Sequence, residues 1–303
     1  MTLQSSGTVI KASQVDTEIG VSSSATLDAN ANNVRMLAGQ ANGASGQLNY
    51  SSFYGKTYMD GSTSARAAPS ALYIKQLTGT TTSGLYWVNP GSAVGATQVW
   101  CDMTINGGGY MLIARSNPSA SPASGTWGWR GTAQGSPTTY SAAYQLPIYT
   151  WYQAGYTFSQ YIFGNQYSNN SNSWGPFVYQ VGISNLSTFL TSDTQQSGSY
   201  YNTIQSNTGV YGTTSFPGMQ GAIGYPISGT SNNFYYMRDC CGFAGYGAYP
   251  TGMATTYCSN TSVQFYCGPW CNGASLSGST YVQGGSSSAG NTGGTSQYMI
   301  MVQ

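Results

Sequence analysis

Residues 79–115 read GTTTSGLYWVNPGSAVGATQVWCDMTINGGGYMLIAR, and this stretch decides the architecture. It holds three strand-like runs: 84–88 (GLYWV), 97–103 (TQVWCDM) and 110–114 (YMLIA). Each is rich in aromatic and branched apolar residues, which fit a pleated, half-buried surface. Gly107–Gly109 forms the turn between the last two runs, because glycine alone tolerates the positive φ such a turn requires. Just upstream, Ser70–Leu77 (SALYIKQL) carries Leu72, Ile74 and Leu77 at helical spacing.

Working outward, the reading is an α+β protein: a small N-terminal module followed by a β-rich, loop-rich domain. In residues 1–58, Ile10–Ile19 is a short helix candidate with Ser13 as its N-cap. Leu27–Leu37 is a second, with Asp28 and Asn30 as capping residues. Residues 59–69 are small and polar, close on Pro69, and read as a linker. Residues 70–303 form the large domain. There, 116–140 is loop-rich, 144–163 is dense in aromatics, and Ser184 or Asn185 caps a short helix through Phe189 and Leu190. From 191 to 290 Gly, Ser, Asn and Tyr dominate, which implies long ordered loops. The end, QYMIMV at 297–302, is a final strand that returns to the sheet. No fixed-period repeat is present, so a solenoid or propeller is not expected.

Composition narrows the function classes. The 303 residues include no histidine, 8 Lys plus Arg and 7 Asp plus Glu. Charged residues make up 5% of the chain, against roughly 25% in ordinary soluble proteins. A basic face for a nucleic-acid backbone or anionic lipid cannot be assembled from so few cations. The 14% aromatic content supplies apolar area to bury, which argues against disorder. The surface is left to hydroxyls, amides and phenols, groups that bond and stack on sugars. Without an imidazole the histidine-based triad is closed. The seven acids (Asp16, Glu18, Asp28, Asp60, Asp102, Asp193 and Asp239) are scattered, so a facing carboxylate pair is not expected and the chain reads as a non-enzyme. No cofactor is expected. Asp102 is expected to hydrogen-bond the Gly107–Gly109 turn. The opening MTLQSSGTVIKASQVDTEIG lacks the apolar core of a signal peptide, and no 18-residue apolar run occurs. Six cysteines without such a signal fit a protein made in a cytoplasm and released by another route, as virion proteins are.

The opening stretch resembles the fibrinogen C-terminal (fibrinogen-related) domain. That family opens with a helix, a Ser-Gly-Val/Leu-Tyr strand, a Val-Tyr/Trp-Cys-Asp-Met strand and a triple-glycine turn ending in Trp or Tyr. Gly84–Tyr86, Val99–Met103 and Gly107–Tyr110 follow that order and spacing. Near the other end, Cys258 and Cys271 are separated by twelve residues and followed by Asn272-Gly273-Ala274-Ser275-Leu276-Ser277-Gly278. The resemblance implies a Cys258–Cys271 disulfide beside a ligand pocket. It also exposes departures. The family's partner for Cys101 is absent from Ala67–Ser70, the pocket histidine is Asn272, and Asp239 is the only acid in 220–258. A calcium site of the kind used by the family, or by the related intelectins, lacks its carboxylates. Residues 1–58, with their Gln-Ser-Ser-Gly opening, TLDANANNVRMLAG segment and SSFYGK close, resemble N-terminal modules of tailed-bacteriophage structural proteins.

Five cysteines fall within 240–271. Adjacent Cys240 and Cys241 do not bond each other without strain, so Cys240 or Cys241 to Cys267 is the second bridge. Zinc held by Cys267 and Cys271 is the competing reading; no metal site is expected, because no second close pair and no histidine complete it. Among the surrounding aromatics, Tyr266, Trp270 and Asn272 are the first ligand-binding candidates, followed by Tyr246 and Tyr249. Trp127, Trp129 and Arg130 form a further aromatic loop. These readings combine into a phage tail fibre or adhesin, a homotrimer by analogy. Residues 1–58 would contact other phage structural proteins, and 70–303 would recognise a host-surface glycan or other receptor. A ligand-free capsid or tail decoration protein and a polysaccharide-degrading tail enzyme are the alternatives.

Overall fold

A computed structural model describes residues 3–4, 9–115, 133–142, 144–166, 171–183, 185–191, 201–205, 234–236, 250–253 and 298–303. The chain is α+β and divides into two compact units, Met1–Tyr110 and Met111–Gln303.

The first unit begins with α1 (Ala12–Glu18) and α2 (Asn32–Leu37). Neither helix start is capped as the sequence suggests. The N-cap of α1 is Lys11, whose N–H donates to the Gln14 amide at 2.8 Å, while Ser13 lies inside the helix and its carbonyl accepts from Thr17. Before α2, Asp28 closes a turn by accepting the Asn30 N–H, and Ala31 takes the N-cap position. The Asp28 side chain is used in a local bond ahead of the helix start, and Ser13 falls two residues past the N-cap of α1. Residues 50–53 form a short 3-10 helix that buries Phe53.

Helix α3 (Ala71–Thr78) starts where the sequence places it. The Ser70 hydroxyl accepts the Tyr73 N–H at 3.0 Å, and Gly79 ends the helix at φ 67. Ser70→Ala should lower stability by about 1 kcal/mol, the usual value of such a cap, measured as a drop in the urea midpoint with unchanged slope.

The small module does not keep a core to itself. Val15, Val34, Leu37, Phe53 and Tyr58 pack in one cluster with Leu77 of α3, and Tyr73 lies against it. Residues 59–69, read as a linker, run along the outer edge of β1 (Gly84–Val88). Gly61 accepts the Trp87 N–H, Ala68 donates to Trp87 and accepts from Asn89, and Ala68 is fully buried. Arg66 closes the segment. Its guanidinium bonds the Asp60 carboxylate at 3.0 Å and the Glu18 carbonyl at 3.0 Å, and lies over the Tyr58 ring. Glu18 is buried and accepts the Tyr58 N–H. A small, polar composition reads as a tether, yet here polar groups satisfy the free side of an edge strand.

Strands β1 and β2 (Thr97–Asp102) pair antiparallel from Gly84↔Cys101 to Val88↔Thr97. Strand alternation sends Val88, Val99 and Cys101 to the buried face.

Strand β3 (Tyr110–Arg115), which enters the second unit at Met111, is buried throughout, and β4 (Tyr144–Gln145) pairs with it. The remaining strands are β5 (Gln160–Gln166), β6 (Trp174–Gly182), β7 (Tyr201–Gln205), β8 (Phe234–Tyr236), β9 (Pro250–Met253) and β10 (Tyr298–Val302). The C-terminal strand lies between β3 and β5, and the order continues through β6 to β7, each pair antiparallel. Helices α4 (Ile148–Gln153) and α5 (Leu186–Thr191) complete the unit, the latter beginning right after Asn185. Trp151, Tyr156 and Phe158 form an aromatic group in the core, with Trp151 edge-on to Tyr156. No helix among the described residues is long and apolar enough to cross a membrane.

Candidate functional site

The candidate residues fall in two consecutive connections of the second unit. Strands β8 and β9 pair antiparallel, Phe234 opposite Met253 and Tyr236 opposite Pro250. Tyr246 and Tyr249 belong to the chain joining these strands, Tyr249 directly before Pro250. Tyr266, Trp270 and Asn272, with Cys258, Cys267 and Cys271, belong to the chain joining β9 to β10. All of these, Cys240, Cys241 and the Trp127–Arg130 loop lie outside the described residues. The described part therefore fixes where the two connections start and end. The second ends on β10, the strand that β3 and β5 flank.

Two local structures come from sequence features of the opening stretch. The first is the turn before β3. Asp102 is buried, and its Oδ1 accepts the Thr104 N–H at 2.8 Å, the Thr104 hydroxyl at 2.9 Å and the Ile105 N–H at 3.0 Å. Its carbonyl, not its carboxylate, accepts the Gly109 N–H at 2.8 Å. Asp102 thus serves the turn as expected, gripping its start by side chain and its end by backbone. Asn106 adopts φ 46 and donates to the Tyr110 hydroxyl. Gly108 and Gly109 have φ of 79 and 83. A Cβ on Gly108 would stand 2.2 Å from the Met103 carbonyl oxygen, and one on Gly109 would stand 2.7 Å from the Leu72 Cα. The triple glycine is therefore set by space at two positions as well as by dihedral.

The second is Arg115, which the sequence reading passed over as a strand end. Its side chain is fully buried and bonds carbonyl and amide oxygens. Nε donates to the Ala142 carbonyl at 2.9 Å. One terminal nitrogen reaches the Asn172 amide oxygen at 2.5 Å and the Pro137 carbonyl at 3.2 Å. The other reaches the carbonyls of Ser136 at 2.9 Å and Thr139 at 2.6 Å. The guanidinium also lies over the Tyr144 ring. Burial lowers its pKa to about 10, so it stays charged at neutral pH. A fork of five donors holds residues 136–142 and the turn at Asn172 in one arrangement. The only advance signal was the residue type: a strand arginine in a chain with few cations.

Cys101 is a free, buried thiol, as the missing partner at Ala67–Ser70 implies. Burial, with Asp102 beside it, pushes its pKa far up, which keeps it an unreactive core residue. Among the described residues no three or more His, Cys, Asp or Glu side chains cluster as a metal site.

Two solved structures that this chain resembles are fibrinogen-like globe domains. That of human ANGPTL6 is 15% identical, with a TM-score of 0.35 over 77% of this chain and 94% of that one. That of human ANGPTL2 is 15% identical, with a TM-score of 0.35 over 78% of this chain and 98% of that one. No family model matches the sequence, and no curated protein does.

Proposed function

We propose that this chain is a non-enzymatic recognition protein of a bacteriophage virion. Residues 70–303 would bind a host-surface glycan or other receptor as part of a tail fibre or adhesin. Residues 1–58 would join it to other phage structural proteins, and three copies would act together, raising a weak single-site affinity. The observation that carries this reading is the ordered series Gly84–Tyr86, Val99–Met103 and Gly107–Tyr110, followed by the Cys258 and Cys271 pair. The nearly uncharged, aromatic- and amide-rich stretch around Trp270 supports a neutral, hydroxyl-bearing ligand. Binding there would use aromatic faces and amides rather than calcium.

The test uses the full chain, because α3 shares its core with residues 1–58. Trp270→Ala in the assembled particle should reduce host adsorption at least tenfold without changing particle yield. Unchanged adsorption, together with no binding of the purified chain to host cells, would remove the receptor reading and leave the decoration alternative.

A further inference from the structure

We draw no further inference here: the strongest candidate, the buried carboxylates Asp16 and Glu18 on α1, of which Asp16 Oδ2 meets no hydrogen-bond donor, carries no site because residues two apart on a helix do not face each other and no third His, Cys, Asp or Glu clusters with them among the described residues.

Discussion

Replacing Arg115 with leucine should destabilise the protein by about 3–5 kcal/mol, the range found when one partner of a buried charged network is removed. The guanidinium fills five acceptors: the carbonyls of Ser136, Pro137, Thr139 and Ala142 and the amide oxygen of Asn172. Leucine restores apolar volume but donates nothing, and each stranded buried acceptor costs roughly 1–3 kcal/mol. Part of that cost is recovered where water reaches the exposed loop at Thr139. Arg115→Lys should be milder, about 1–3 kcal/mol, because one ammonium with three donors cannot span the positions of a planar fork. Two measurements check this. Urea unfolding gives the stability loss. Amide exchange should quicken across residues 136–142 and near Asn172 before it quickens in β3. A loss under about 1 kcal/mol for leucine would mean that these carbonyls are solvated without Arg115.

Gly108→Ala should cost at least about 3 kcal/mol, by two additive causes. At φ 79 and ψ −178 the residue sits where a side chain is strongly disfavoured. The new methyl would also lie 2.2 Å from the Met103 oxygen and 2.4 Å from its carbonyl carbon, both backbone atoms that cannot swing aside. Gly107 supplies the control. Its φ is 91, but a Cβ there meets nothing within 4 Å. Gly107→Ala should therefore show only the conformational part, about 1–2 kcal/mol. Equal losses at the two positions would refute the steric argument. Thermal unfolding of the two variants side by side decides it.

Some of this fold was legible because it is local. Alternating apolar residues mark β1 and β2, and the apolar run YMLIAR becomes the fully buried β3. The spacing of Leu72, Ile74 and Leu77 marks α3, and the Ser70 cap and Gly79 then set its ends. The closing apolar run at Tyr298–Val302 returns to the sheet because it has no other way to bury both faces. The caps of α1 and α2 were misread for a matching reason. Asp28 and Ser13 are good capping types, but Asp28 bonds the Asn30 N–H instead and Ser13 lies inside the helix, because the helix start depends on dihedrals that neighbours set.

Residues 59–69 and Arg115 were illegible because their partners are remote. Arg66 meets Glu18, 48 residues back in the chain. Arg115 meets Asn172, 57 residues ahead, and carbonyls 21 to 27 residues ahead. A carbonyl carries no sequence signal at all, since every residue has one.

The sequence by itself determined the strand–turn–strand series at 84–115, because glycine's dihedral freedom and side-chain alternation act over a few residues. It also determined a nearly uncharged, aromatic-rich chain in which ionic chemistry has little material. Only the tertiary structure decided that the apparent linker is a clasp on β1 and that Arg115 is buried among carbonyls. Those outcomes depend on which distant groups meet, and the chain settles that only when its apolar faces find one another.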